Sequence, residues 1–207
     1  MTVEVKICGL STPETLDAAL AAGADFVGLV FFPKSPRHVA LDQAAKLAAR
    51  ARGKAKIVAL IVDADDQAVL DINHAVNPDY FQAHGNETPA RIEALAALTA
   101  KPLIKAIKVQ DTADVASARD YACLILFDAK HPEAPLPGGN GLPFDWRLLG
   151  KQQDFMLSGG LNAANVAKAI AMTGAAIVDV SSGVESAPGK KDANLIWKFI
   201  EAAKAAR

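Results

Sequence analysis

Two residues that could transfer protons, Cys8 and Asp128, each end an apolar segment of the sequence. The segments read VEVKIC at 3–8 and ACLILFD at 122–128. A thiolate and a carboxyl group facing each other across a bound sugar could act as base and acid at two different atoms. Each also has a simpler interpretation, because cysteine is often a buried apolar side chain and aspartate often caps a helix or joins an ion pair. The two residues therefore indicate acid–base chemistry only if the fold brings them to one site.

Two short Gly/Ser segments, SGG at 158–160 and SSG at 181–183, follow apolar segments late in the chain. Small residues in such turns leave backbone N–H groups exposed and allow a phosphate group to approach closely. The same glycines could instead only shape tight turns. We expect a phosphate site formed by Gly159, Gly160, Ser182 and Gly183. Combined with a thiol and a carboxyl group, this site favours a phosphosugar isomerase or lyase.

The elements that must position these residues alternate between short apolar strands and amphipathic helices. Predicted strands cover residues 3–8, 26–32, 57–62, 79–83, 103–109, 122–128, 154–158 and 176–181. The first predicted helix begins near Ser11, with Glu14 at capping-box spacing and Pro13 in its first turn. Further helices are expected near 42–52, 65–76, 89–99, 113–120, 145–149 and 162–172, and the last contains Ile196, Phe199, Ile200 and Ala203.

Eight strands alternating with eight helices predict a (β/α)8 TIM barrel that forms a single domain over residues 1–207. The alternative, an open doubly wound sheet, usually has a GxGxxG motif after its first strand, whereas this chain has ICGLST there. In such barrels the active site lies where the strands end and the following loops begin. Cys8, Asp128 and both Gly/Ser turns occupy such positions.

The two-residue period of a strand predicts which side chains share the barrel interior. Lys6 and Cys8 share one face of the first strand, and Asp179 points inward from the eighth, which is adjacent in a closed barrel. We expect Lys6 and Asp179 to form a buried ion pair, and Lys6 to lower the pKa of Cys8. Cys123 should point outward into the core beneath the helices.

Composition excludes several classes of protein. The net charge of −1 gives no general attraction for nucleic acid or for an anionic membrane, and no apolar run is long enough to span one. The cysteines and histidines show no metal-ligand spacing, so we expect no metal site, and two distant cysteines suit the reducing cytoplasm. The segment 131–144 has four prolines and three glycines and is predicted to be an active-site loop.

Seven segments together resemble phosphoribosylanthranilate isomerase, a barrel enzyme family of tryptophan biosynthesis. They are KICGL at 6–10, FFPKSPRHV at 31–39, QAHG at 82–85, LFDAK at 126–130, GGNG with FDW within 138–146, LSGGL at 157–161 and DVSSGVE at 179–185. The resemblance spans nearly the whole chain. It implies an Amadori rearrangement of N-(5′-phosphoribosyl)anthranilate, a small phosphosugar, without a cofactor and in a monomer or homodimer.

The resemblance also implies roles for individual residues. Asp128 matches the general acid that protonates the furanose oxygen, and Cys8 the general base that removes the C2′ proton. Arg37 matches the arginine that holds the anthranilate carboxylate, while Gly160 and the 182–183 turn match the phosphate site. Apart from the resemblance, His84 ends the predicted fourth strand and faces the barrel mouth beside Gln82, so we expect it to be an orienting group in the substrate site that transfers no proton.

Two alternatives are left open by the sequence. The related Amadori isomerase of histidine biosynthesis, or an enzyme with both substrates, uses aspartates on both sides of the site, and Cys8 counts against it. A catalytically silent phosphate-binding barrel would not need Cys8, Asp128 and Arg37 together. The sequence departs mildly from the family pattern, with QAHG in place of the commoner QLHG and Leu142-Pro143 where a basic residue often lies.

Overall fold

Eight parallel strands close into a barrel in the computed structural model, which describes residues 3–130, 143–150 and 152–206. The strands are β1 Glu4–Cys8, β2 Phe26–Phe31, β3 Lys56–Ile61, β4 Tyr80–Ala83, β5 Leu103–Val109, β6 Leu124–Ala129, β7 Phe155–Leu157 and β8 Ile177–Val180. Strand β1 pairs with β2 on one side and with β8 on the other, which closes the ring. The predicted barrel is confirmed, and each predicted strand end lies within two residues of the observed one.

The helices surround this barrel. They are α1 Pro13–Ala21, α2 Leu41–Ala51, α3 Asp66–Val76, α4 Pro89–Thr99, α5 Thr112–Ser117, α6 Val166–Thr173 and α7 Ala193–Ala205. Five of them begin at a Thr or Asp side chain that accepts a backbone N–H of the first turn, namely Thr12, Asp65, Thr88, Asp111 and Asp192. The predicted start of α1 at Ser11 was therefore wrong by one residue, because Thr12 is the cap.

The prediction of eight helices was wrong in the sixth βα unit. Within the described part of that unit, residues 143–150, the chain forms only the 3₁₀ turn Trp146–Leu149. Helix α6 also starts later than expected, at Val166, because Asn162 and Asn165 bond to nearby backbone in a turn over 162–165. A 3₁₀ turn at Ala118–Asp120 ends the predicted helix 113–120.

A short antiparallel hairpin, which was not predicted, lies between β8 and α7. Its strands are β9 Glu185–Ala187 and β10 Lys190–Lys191, and it follows the 3₁₀ turn Ser182–Val184. Gly189 in its turn has φ +78° and lies against the backbone of Pro36, where a Cβ would be 2.5 Å from the Pro36 oxygen. The hairpin is therefore fixed against the loop that follows β2.

Two layers of apolar side chains stabilise the barrel. The larger core lies between the strands and helices, and Cys123 packs against it as predicted. The barrel interior is filled by Phe26, Val58, Ile104, Ala106, Leu126, Met156 and Ile177. A third cluster, of Cys8, Val30 and Leu60, lies nearer the C-terminal ends of the strands. Among the described residues, no helix combines the length and apolar character that crossing a bilayer requires.

Candidate active site

Cys8 is the last residue of β1 and is 4% exposed. Gly28 is its register partner on β2, and a Cβ at that position would come within 2.9 Å of the Cys8 sulfur. Glycine at 28 thus leaves the space that the thiol occupies. This role of Gly28 was not predicted from the sequence.

Lys6 and Asp179 form the expected ion pair inside the barrel, with the ammonium 2.9 Å from Asp179 Oδ1. Burial works against the charge on Lys6, but Asp179 outweighs this effect and raises the pKa of Lys6 above its usual value. The same ammonium donates a hydrogen bond to Gln82 Oε1 at 2.8 Å. Lys6 is therefore a charged donor at the centre of the interior.

Lys6 lowers the pKa of Cys8, as expected, but its effect is smaller than the combined opposing effects of burial and Asp179. Burial raises the pKa of the Cys8 thiol, and Asp179 adds to this, while Lys6 and Lys191 lower it. The net direction is upward, so the thiol holds its proton more firmly than a free cysteine does. The predicted larger thiolate fraction was wrong because strand periodicity does not reveal complete burial.

Asp128 points into the barrel from β6, as the alternation of that strand predicts, and is 4% exposed. Its Oδ1 accepts a hydrogen bond from the Ala129 N–H at 2.9 Å, and its Oδ2 lies 3.0 Å from His84 Nε2. Gly159, with φ +88°, lies against this segment, and a Cβ there would be 2.6 Å from the Ala129 nitrogen. Asp128 is thus held by the His84 imidazole and the Ala129 backbone N–H, and it does not cap a helix.

His84 connects Asp128 to the Lys6 end of the site. Its Nδ1 lies 2.9 Å from Gln82 Nε2, and both side chains are buried. Contacts therefore run without a break from Asp128 through His84 and Gln82 to Lys6, which neighbours Cys8 on β1. The predicted acid and base therefore lie at the same end of the barrel, connected by these contacts.

Arg37, in the loop after β2, extends its side chain over Gly9, next to Cys8. A Cβ on Gly9 would be 2.8 Å from Arg37 Cδ. Arg37 Nε and Nη2 each donate to one oxygen of Glu185, both at 2.8 Å. This bidentate contact fixes the plane of the guanidinium group at the edge of the site.

Glu185 is at the centre of a buried charge cluster that was not predicted from the sequence. It also accepts hydrogen bonds from Lys191 Nζ at 2.5 Å and from the Gly189 N–H at 3.2 Å. Burial works against its charge, but Arg37 and Lys191 prevail and lower the pKa of Glu185. Glu185 is the last residue of the DVSSGVE segment, so that segment could have indicated Glu185 as a site residue. Lys191 lies on the hairpin, which was not predicted.

The two Gly/Ser turns lie against each other beside this cluster. A Cβ on Gly183 would overlap the Leu161 carbonyl oxygen, and Gly159 and Gly160 have φ +88° and +63°. Lys191 Nζ donates to the carbonyl and hydroxyl oxygens of Ser181, at 3.1 and 3.2 Å. Between described residues, the backbone N–H groups of Gly159 and Gly160 donate no hydrogen bond, and those of Ser182 and Gly183 begin a 3₁₀ turn, where the first N–H groups have no acceptor within the turn. The turns can thus offer several donors to an anion.

The predicted active-site loop lies outside the described residues at 131–142, and only its last two residues, Pro143 and Phe144, are described. Leu142, where the sequence departs from the family pattern, also lies outside the described residues. In the described ranges 3–130, 143–150 and 152–206, no three His, Cys, Asp or Glu side chains are grouped to hold a metal ion.

Comparisons with known proteins identify relatives over the whole chain. A family model described as N-(5′phosphoribosyl)anthranilate (PRA) isomerase matches residues 5–202. The N-(5′-phosphoribosyl)anthranilate isomerase of Rhizobium meliloti is 52% identical, covering 100% of this chain and 99% of the relative. The same enzyme of Nitrobacter winogradskyi is 54% identical, with coverages of 100% and 95%.

Solved structures agree with this result. The crystal structure of phosphoribosyl anthranilate isomerase from Thermotoga maritima superposes with a TM-score of 0.88 and 38% identity, covering 98% of each chain. A crystal structure of such an isomerase in complex with reduced 1-(o-carboxyphenylamino)-1-deoxyribulose 5-phosphate superposes with a TM-score of 0.85 and 34% identity, covering 98% of each chain. The resemblance found in the sequence is confirmed, and the chain belongs to the phosphoribosylanthranilate isomerase family.

Proposed function

We propose that this chain isomerises N-(5′-phosphoribosyl)anthranilate to 1-(2-carboxyphenylamino)-1-deoxyribulose 5-phosphate, the Amadori step of tryptophan biosynthesis. Family membership over residues 5–202 supports this activity. The relative with a bound reduced form of the product carries the same barrel over 98% of this chain. The single observation that carries the residue assignment is the unbroken set of contacts from Asp128 to Lys6, the neighbour of Cys8.

Asp128 is the general acid in this proposal. It gives a proton to the furanose ring oxygen as the bond from that oxygen to C1′ breaks, and the nitrogen lone pair forms the Schiff base. The carboxylate that results accepts hydrogen bonds from Ala129 N–H and from His84. These two contacts favour loss of the proton at the step that requires it.

Cys8 is the general base. Its thiolate takes the C2′ proton, and the electron pair of the broken C–H bond neutralises the Schiff base to give an enolamine. Tautomerisation of the enolamine then yields the ketone product. The Lys6 and Lys191 ammonium groups favour the thiolate form that this step needs.

Arg37 and the two turns bind the charged ends of the substrate. In this proposal the guanidinium held by Glu185 contacts the anthranilate carboxylate, and the N–H groups of Gly159, Gly160, Ser182 and Gly183 bind the phosphate. His84 contributes to the substrate pocket by its contact with Asp128 and transfers no proton. All of these groups come from one chain.

The test is a side-by-side assay of purified enzyme with the anthranilate substrate and with the aminoaldose substrate of histidine biosynthesis. Turnover of the anthranilate compound is expected, with the second compound turned over at least 100-fold more slowly, roughly the contribution of a well-placed acid or base. Comparable turnover of both would replace the proposal with a dual-substrate enzyme. Turnover of neither would leave a phosphate-binding barrel.

We further propose that one copy of the chain is sufficient for activity, whether it is a monomer or a homodimer. One solved relative, from Thermotoga maritima, is described as monomers generated from a dimeric isomerase. Specific activity that is constant on dilution would support this, and loss of activity on dilution would contradict it.

We also propose a cytoplasmic location for the protein. The free thiol at Cys8 supports this location, because cysteines stay reduced in the cytoplasm.

A further inference from the structure

A continuous line of hydrogen bonds crosses the barrel interior from β8 to β6. It runs from Asp179 to Lys6 at 2.9 Å, from Lys6 to Gln82 at 2.8 Å, from Gln82 to His84 at 2.9 Å, and from His84 to Asp128 at 3.0 Å. All five side chains are at least nine-tenths buried. The proposed mechanism uses Asp128 directly but gives no task to Gln82.

The chemistry of these groups fixes the position of each hydrogen. An ammonium has only donors, and Asp179 keeps Lys6 charged, so the Gln82 atom that faces Lys6 is the carbonyl oxygen. The amide nitrogen of Gln82 then faces His84 and donates to Nδ1. Nδ1 must carry a lone pair, and the ring proton lies on Nε2, from which it is donated to Asp128 Oδ2.

We propose that Gln82, oriented by Lys6, holds His84 as the Nε2–H tautomer and so keeps the ring as a hydrogen-bond donor to the carboxylate that Asp128 becomes when it transfers its proton. This inference rests on the role of Asp128 as general acid in the proposed function. The opposite tautomer, Nδ1–H, would turn the lone pair of Nε2 toward Asp128 Oδ2, 3.0 Å away, and the carboxylate left by proton transfer would lose this donor. The Nε2–H tautomer donates one hydrogen bond to that carboxylate. Gln82 is therefore a positioning residue that acts through His84.

Other charged groups near His84 do not replace this control. Asp128 on β6 is the charged group in direct contact, and Lys6 on β1 is separated from the ring by Gln82. Glu87 and Lys105 bond to the backbone of Gly85, the next residue, and to each other at 2.8 Å. That pair is satisfied locally, so the contact with Gln82 decides that Nδ1 carries no hydrogen.

The test is nitrogen-15 NMR of the histidine rings in the full chain at about pH 8, where an ordinary histidine is neutral. The His84 signals are assigned by their loss in His84→Gln. We expect the wild type to show the Nε2–H tautomer. In Gln82→Met the donor to Nδ1 is gone, so signals of the Nδ1–H tautomer should appear.

The kinetic arm compares the same variant with Gln153→Met, the same replacement at an exposed position before β7. We expect kcat of Gln82→Met to fall roughly 10-fold or more, part of the factor that a general acid supplies, with KM little changed. The Gln153 variant should match wild type.

An Nδ1–H tautomer in the wild type would overturn the inference, as would Gln82→Met with wild-type ring signals and kcat. The wild-type spectrum alone decides the tautomer if Gln82→Met does not fold. Because the spectra need no substrate, an inactive enzyme with the expected tautomer would refute the proposed function and not the ring assignment.

Discussion

At the scale of single residues, Cys8 is subject to opposing influences. Burial and Asp179 raise its pKa, and two ammonium groups lower it without reversing the shift. The proposed base must be a thiolate, which is the minor form below its pKa. The structure therefore couples the rate to pH through one buried thiol.

The sign of the pH dependence follows from this. Below the thiol pKa, each unit of pH raises the thiolate fraction roughly tenfold, so kcat/KM should rise along a basic limb. Because the pKa is raised, the limb should continue beyond about pH 8.5, the value of an ordinary cysteine. A pH profile of kcat/KM measures this, and a plateau reached by neutral pH would contradict it.

Gly28 is the second residue whose identity the site requires. Gly28→Ala places a methyl group against the Cys8 sulfur and the Cys8 backbone, so the thiol must move. We expect kcat to fall roughly 10-fold or more, since misplacement of a catalytic group is costly. The control is Gly53→Ser, at a position where an added Cβ meets nothing within 4 Å, although its φ of +76° makes a small loss of stability expected. Unchanged kcat in Gly28→Ala would show that Cys8 tolerates displacement.

Glu185 offers a test of the Arg37 assignment. Glu185→Gln keeps the shape of the side chain but replaces one acceptor oxygen of the bidentate contact by a donor, so the guanidinium loses its fixed plane. We expect KM to rise roughly 10-fold with a smaller change in kcat, in line with a charge-assisted hydrogen bond of about 1.5–3 kcal/mol. Glu201→Gln, at an exposed site on α7, is the matched control. A lower kcat with unchanged KM would instead connect Arg37 to the chemical step.

Some of these residues could be predicted from the sequence and others could not. Strand periodicity and strand ends predicted that Cys8 and Asp128 point inward, and ring closure predicted the Lys6–Asp179 pair. Strand periodicity also predicted that Gln82 faces the barrel mouth beside His84, but not its contact with Lys6. Glu185 and Lys191 form their contacts through side-chain rotamers across distant elements, for which the sequence has no periodic signal. The direction of the Cys8 pKa shift was missed because it depends on a balance of burial and charge.

At the scale of elements, a buried ion pair connects the loops after β3 and β4 to β5. Glu87 accepts hydrogen bonds from Lys105 Nζ, Asp63 N–H and Gly85 N–H, and both charged side chains are at most 4% exposed. Burial works against the charge on Glu87, but Lys105 and the backbone donors prevail and lower its pKa. This contact stabilises the segment that carries His84.

Glu87→Gln should therefore destabilise the fold by about 3–5 kcal/mol, because it leaves Lys105 buried without its counter-ion. A lowered folded-state pKa contributes stability above the unfolded value, about 4.3, and that contribution is lost as pH falls through the folded value. Urea unfolding should thus show a large deficit at neutral pH that shrinks in acid. The exposed Glu93→Gln on α4 should cost little, and an equal deficit at all pH values would contradict this linkage.

The elements themselves were largely predictable because their signals are local. Strand length, helical periodicity and capping residues are written in short segments, and the barrel follows from their alternation. The 3₁₀ turn Trp146–Leu149 stands where the weakest predicted helix was expected, a segment too short for helical propensity to decide. The hairpin of β9 and β10 depends on its contact with the distant loop at Pro36, which no local pattern contains.

At the scale of the whole molecule, closure of the barrel concentrates charge that the composition does not reveal. The net charge is −1, yet Lys6, Arg37 and Lys191 lie close to the strand ends around Cys8, partly balanced by Asp179 and Glu185. A substrate that carries both a carboxylate and a phosphate group suits such a local excess of cations. The fold thus places cations where an anionic substrate would bind, although the net charge of the chain is close to zero.

The central claim is that Asp128 and Cys8 are the acid and base of one isomerisation. The most direct measurement is the single-turnover rate of wild type, Asp128→Asn and Cys8→Ser, followed by substrate fluorescence with N-(5′-phosphoribosyl)anthranilate generated in situ. Each variant should lose roughly 10²-fold or more in rate while still binding the reduced product analogue, because each lacks one proton transfer. A rate within a few-fold of wild type in either variant would contradict the account.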